Sequence, residues 1–298
     1  MRRLFTCGAA IFAWANPLGA QPVPARELWE FPLGAIFEPP ALATEPGAGL
    51  WNPATSALPA GERLRMGVAS LAAGAAQGVD GQLLTATLRR QSGVTLGVSV
   101  ARAAIAGLVR TDSDPQSVGD IPYNSTLFSL SAARQLVPHV TAGVAMRWRS
   151  GRADQASRHA AAADLGVVIH DLPVLNARIA ASSFLWRPGR EIEDRPAVVA
   201  AVDVRVLGGR TLREMRAGYA QHGVNRGAQE RGPFVSARFD RLEARAGYLW
   251  ASAGANDVSR VRSGLALHLN RYIVGVAREE GLTGLGPVYQ FTLSSLIK

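Results

Sequence analysis

Cysteine is almost absent from this chain: the one residue, Cys7, lies near its start. A disulfide framework and a cysteine-based metal site are thereby excluded. Charge is sparse as well. Charged residues make up 18% of 298 positions, against about 25% in soluble domains. No uninterrupted apolar run reaches the roughly 20 residues of a membrane helix, so a helical membrane protein is excluded. Hydrophobic residues are nevertheless 48% of the chain, too many for a disordered one. Catalytic signatures are missing too: there is no Gly-x-Ser-x-Gly elbow, no His-Glu-x-x-His and no Walker loop. His139, His159, His170, His222 and His268 are dispersed without metal-ligand spacing. No catalytic residue, metal or cofactor is expected. The catalytic alternative is a hydroxyl–imidazole pair, Ser263 or Ser183 with His268.

What is present begins with a leader. Arg2 and Arg3 precede the apolar stretch Leu4 to Trp14, Pro17 breaks it, and Leu18-Gly19-Ala20 offers a small-residue cleavage site. Residues 1–20 read as a secretory signal peptide, and the exported chain starts at Gln21. Cys7 precedes most of the apolar stretch, which argues against lipidation. Seven prolines fall between Gln21 and Pro59 without a clear period, so 21–60 forms a separate segment. From 61 to 298, alternation of period two dominates.

Along Ala197 to Val206, Val198, Ala200, Val202, Val204 and Val206 share one face, and Val199, Ala201, Asp203 and Arg205 the other. His139 to Arg149, Leu242 to Trp250 and Ser259 to Leu269 repeat the pattern. The expected strands are 62–72, 80–90, 94–109, 125–135, 139–149, 158–170, 174–184, 196–206, 211–221, 232–240, 242–251, 258–269, 271–279 and 286–296. This even number of strands, each near the length that crosses a bilayer at a tilt, predicts an all-β transmembrane antiparallel barrel of about fourteen strands. Short turns alternate with longer links at 110–124, 150–157, 185–195, 222–231, 252–257 and 280–285, the asymmetry of periplasmic turns and external loops. Trp148, Trp186, Tyr219, Trp250, Phe128 and Phe234 fall toward the loop ends of their strands, at the height of an outer interfacial girdle. Tyr272 and Phe239 fall at the opposite edge. Closure is forced, because a strand edge in hydrocarbon leaves backbone groups unpaired at several kcal/mol each.

The inward face is rich in arginine: Arg147, Arg149, Arg178, Arg205, Arg216, Arg238, Arg245, Arg260 and Arg262. Asp203, Glu214, Asp240 and Glu243 share it. Two readings stand. The arginines attract a carboxylate or phosphate, or they form a ladder of ion pairs that fills the bore. Nucleic acid is not a partner: the basic residues alternate with aliphatics, and export removes the chain from cytoplasmic nucleic acid.

Residues 45–54 read Glu-Pro-Gly-Ala-Gly-Leu-Trp-Asn-Pro-Ala. The Asn52-Pro53-Ala54 step before the first strand resembles the N-terminal signature of FadL-type outer-membrane transport proteins and their PorV-like relatives. The resemblance implies a fourteen-stranded barrel holding residues 21–60 as a hatch. Three features depart from the family: Thr55 stands where a small residue is usual, the chain is short, and its end, Leu293 to Lys298, lacks a terminal aromatic. It also implies a bacterial outer-membrane location, outer-membrane lipid around the wall, and passive uptake of a hydrophobic or amphipathic, acidic small molecule. Arg147, Arg178, Arg205, Arg238, Arg245 and Arg262 in the lumen and Trp51, Asn52, Pro53 and Ala54 in the hatch are the expected substrate-binding residues. Asn52 is expected to cap the turn into the first strand, and Trp29, Phe31, Phe37 and Trp51 to pack the hatch or touch substrate. The alternative is a non-transporting barrel that docks or shuttles an exported protein.

Overall fold

The computed structural model describes residues 23–36, 38–58, 63–74, 78–111, 117–173, 175–186, 197–224, 229–253, 256–281 and 286–297. The expected signal peptide and Phe37 lie outside them. Among the described residues there are sixteen strands: β1 Leu64–Ala73, β2 Val79–Arg89, β3 Val94–Ile105, β4 Val109–Thr111, β5 Ser117–Asp120, β6 Tyr123–Val137, β7 Val140–Ala153, β8 Ala156–Leu172, β9 Ala177–Phe184, β10 Ala197–Leu207, β11 Leu212–Val224, β12 Gln229–Phe239, β13 Leu242–Ala253, β14 Asn256–Leu269, β15 Tyr272–Gly281 and β16 Pro287–Ile297. Fourteen close into one antiparallel barrel, while β4 and β5 form a separate hairpin between β3 and β6. Closure runs through β1 and β16, paired from Leu64↔Ile297 to Ala73↔Val288. The ring leaves no open edge, as lipid requires.

The alternation settles which face is which. On β10, Val198 and Val202 are exposed, whereas Val199, Ala201 and Asp203 are buried in the bore. β7 exposes Val144 and Trp148 and buries Ala145, Arg147 and Arg149. Inward positions are commonly small, with Ala69, Ala101, Ala145, Ala180 and Ala277 all buried. That leaves space for residues 23–36 and 38–58, which lie inside the barrel and share its apolar core with the wall, contributing Leu33, Leu42, Leu50 and Trp51 among others. Three short 3-10 turns, Glu27–Glu30, Pro40–Leu42 and Pro53–Ala57, are their regular structure among the described residues.

Several expectations need correction. The third strand ends at Ile105, not 109, and β4 and β5 occupy part of the link expected over 110–124. The links 150–157 and 252–257 are largely strand: β7 runs to Ala153, β8 starts at Ala156, β13 runs to Ala253 and β14 starts at Asn256. Above the bilayer both faces of a hairpin are wet, so its pairing continues while its hydrophobic alternation stops. In the girdle, Phe128, Trp148, Trp186, Tyr219 and Trp250 are exposed as expected, with Phe128 and Trp148 in ring contact at 5.6 Å. Phe234 instead turns inward and packs on the core, its ring occupying the space over Gly218. Tyr272 and Phe239 are exposed at the other edge.

Candidate functional site

The segment inside the bore is fastened where the sequence motif lies. Asn52 is fully buried. Its Oδ1 accepts the Ala54 amide at 3.0 Å, capping the Pro53–Ala57 turn. Its Nδ2 donates to the carbonyls of Ala41 at 2.9 Å and Val167 at 3.4 Å, the latter on β8. Thr55 closes the same turn, donating to the Asn52 carbonyl at 2.9 Å and accepting the Gly49 amide at 3.2 Å. Its hydroxyl gives the unusual residue after the motif a bonding role. The wall receives this turn on two glycines paired across β7 and β8, Gly143↔Gly166. A Cβ on Gly166 would lie 2.0 Å from Asn52 Oδ1, and one on Gly143 2.5 Å from the Pro53 carbonyl carbon. Asn52, Pro53 and Ala54 are thus anchoring residues of the inner segment.

Trp51 and Trp29 are anchored as well. The Trp51 indole stacks on Phe184 with centroids 4.4 Å apart, meets His222 edge-on at 5.2 Å, and donates Nε1–H to the Leu33 carbonyl at 2.8 Å. Trp29 Nε1 donates to Ser125 Oγ at 2.9 Å, and Phe31 packs partly buried on the core. These aromatics pack the segment against the wall.

Most of the inward arginines are ion-paired. Arg178 meets Asp203 at 2.5 Å, and Arg216 meets Asp203 at 2.7 Å and Glu214 at 2.6 Å. Arg245 bridges Glu243 at 2.5 Å and Glu38 of the inner segment at 2.7 Å. Arg260 and Arg262 share Glu230 and Glu279, and Arg147 is paired through Nε with Asp164. Glu38, Asp164, Glu230 and Glu279 are the acids that reading strands one at a time missed. Their alternation parity would have placed the last three on the inward face. Two expected lumen residues lie elsewhere. Arg205 is exposed at the turn end of β10, where the register shifts between Arg205 and Leu207, and it donates to the Arg213 carbonyl at 3.3 Å. Arg238 is exposed at the turn end of β12. Asp240 likewise sits in an exposed turn, paired with Arg213 at 3.1 Å. The hydroxyl–imidazole pairs do not form. His268 faces Glu243 at 3.1 Å, Ser263 is exposed on the outer face, and Ser183 Oγ accepts the Leu165 amide at 3.0 Å.

One cavity of about 50 Å³ lies between the inner segment at Ile36, Pro39 and Pro40 and the wall formed by β11 to β14. Phe234, Ala220 and Leu249 give it an apolar lining, and His222, Glu230, Arg245 and Arg262 stand at its margins. The wall is interrupted beside it. The β12–β13 ladder runs to Arg231↔Trp250 and resumes only at Phe234↔Gly247. Pro233 has no N–H to give. At Gly232, a Cβ would sit 1.8 Å from the Tyr248 carbonyl oxygen, so that carbonyl turns into space only glycine leaves. The Gly232-Pro233 step therefore interrupts the hydrogen-bonded wall next to the cavity.

No protein-family profile matches the chain, and no curated protein sequence matches it. Solved structures do. A CymD monoaromatic hydrocarbon channel superposes with a TM-score of 0.58 at 12% identity, covering 86% of this chain and 95% of that one. The Pseudomonas putida toluene transporter TodX gives 0.52 at 13%, covering 86% and 95%. A Pseudomonas aeruginosa FadL homologue gives 0.50 at 12%, covering 93% and 98%. At these identities the likeness is one of fold, a closed antiparallel barrel of fourteen strands.

Proposed function

We propose that the barrel carries a small hydrophobic molecule passively across the outer membrane, past the inner segment acting as a hatch and out through the β12–β13 seam. The carrying observation is an apolar cavity that adjoins the one interrupted stretch of the β12–β13 ladder. The likeness in fold to a monoaromatic hydrocarbon channel and a toluene transporter supports the reading. At about 50 Å³ the cavity is smaller than the roughly 150 Å³ void that accepts benzene, so passage requires the hatch or the seam to give. Arg245 and Arg262 at the margin are both held by carboxylates, which favours an uncharged cargo over the acidic one.

Cells of a Gram-negative host expressing the protein are expected to take up radiolabelled toluene faster than empty-vector cells. Pro233→Val, which restores a donor opposite Tyr248, is expected to slow uptake several-fold. Uptake equal to the empty vector overturns the proposal. The filled, ion-paired bore favours one second reading, a barrel that docks an exported protein, and that same negative result would shift weight to it.

A further inference from the structure

Most buried polar groups in folded proteins find a partner, and a guanidinium left unbonded in a dry interior is expensive. Arg147 is fully buried, yet only its Nε is used, on Asp164; Nη1 and Nη2 have no hydrogen-bond partner among the described residues. Ser129 Oγ, also buried, has none either. These orphans are adjacent: Ser129 and Arg147 are direct cross-strand partners on β6 and β7, both facing the bore. The guanidinium lies 4.9 Å from the Phe184 ring centroid. Phe184 stacks on Trp51, and Trp51 meets His222, which borders the cavity. A chain of ring contacts thus leads from the cavity to the Arg147 guanidinium, and Trp51 of the inner segment stands within it.

From this we infer that Arg147 and Ser129 form a binding site for the acceptor oxygen of an otherwise apolar, uncharged molecule, such as a ketone or ester. The inference rests on the uptake reading above and adds the chemical class of the cargo. Two free N–H groups on one planar edge match the lone pairs of a carbonyl. Asp164 already balances the Arg147 charge, so a carboxylate would enter a buried site as an uncompensated charge. Arg149, the next inward residue on β7, turns to the carbonyls of Val23 at 3.0 Å and Pro24 at 3.4 Å. Phe184 and Trp51 supply flat apolar surface for the rest of the molecule, and the site opens when Trp51 leaves Phe184.

The test compares three probes of nearly equal size, 4-fluoroacetophenone, 4-fluoroethylbenzene and 4-fluorobenzoate, by fluorine NMR on the whole protein in lipid nanodiscs. Empty nanodiscs correct for partitioning into lipid. The ketone is expected to bind about tenfold more tightly than the hydrocarbon, the value of one hydrogen bond to a charged donor. Ser129→Ala, which breaks no existing bond, is expected to reduce that preference. Arg147→Met combined with Asp164→Asn, which avoids stranding a buried carboxylate, is expected to abolish it. Equal binding of ketone and hydrocarbon, or a preference that survives both variants, overturns the inference and leaves the uptake reading standing. Tightest binding by the benzoate overturns the uncharged class. Binding of no probe overturns both.

Discussion

At the residue scale, the inner segment is held by side chains that the motif names and by glycines that it does not. Asn52 was legible because its type and place before Pro53 announce a cap, and its Oδ1 does bond the Ala54 amide. Gly143 and Gly166 were not, because neither shows from its own strand that it will face the other. What makes them matter is a tertiary fact, the turn pressed flat on their missing side chains. Gly166→Ala drives a methyl into Asn52 Oδ1, with 2.0 Å available. We expect a loss of about 1–3 kcal/mol, the usual range for overpacking, read as a lower melting temperature of the heat-modifiable barrel. The same change at Gly275 would meet the Thr292 hydroxyl, the end of a short side chain, and should be milder. Equal effects at the two sites would mean that Gly166 carries no special contact with the hatch. The arginines teach the same lesson. Away from the turn ends their inward direction followed from parity, but the partner can sit on a neighbouring strand, as Asp164 does for Arg147.

At the scale of elements, strand identity was readable wherever one face meets lipid and the other the bore. β7, β10, β13 and β14 keep the expected parity along their membrane-crossing length. It failed where that contrast ends, above the bilayer at 150–157 and 252–257. It failed also at Phe234, which the Gly232-Pro233 interruption precedes. Among the polar ties between the inner segment and the wall is an ion pair that no periodicity could show. Glu38 pairs with Arg245 through Oε1 at 2.7 Å, while its Oε2 accepts from Thr44 Oγ1 at 2.9 Å and the Glu45 amide at 3.3 Å. Glu38→Ala removes both sets, yet Arg245 keeps Glu243 at 2.5 Å. The barrel is therefore expected to stay folded with a loss of about 1–3 kcal/mol, while the hatch loosens. Planar-bilayer recordings should show larger or more frequent conductance steps than wild type. An unchanged trace with unchanged stability would remove Glu38 from the role of a latch.

At the scale of the whole molecule, the outer surface and the bore follow opposite rules, and the two can be told apart by depth. Val144 and Leu207 are almost equally exposed, 52% and 56%, so in a water-soluble barrel a charge at either place would matter equally little. In a membrane barrel their heights differ. Val144 lies in the part of β7 between its turn and the interfacial Trp148, whereas Leu207 ends β10 at the turn edge. A long cation at the bilayer midplane loses its water, while one at the rim reaches the headgroups. Val144→Arg is expected to destabilise the folded barrel by about 2–4 kcal/mol and Leu207→Arg by about 0–1 kcal/mol. Reversible urea titration of folding into liposomes measures both. Equal losses, or a larger loss at Leu207, would mean that the apolar belt is not set at the height the girdle of Trp148, Trp186 and Trp250 marks. The seam beside Pro233 would then no longer open into hydrocarbon, and a lateral exit for an apolar cargo would lose its physical basis.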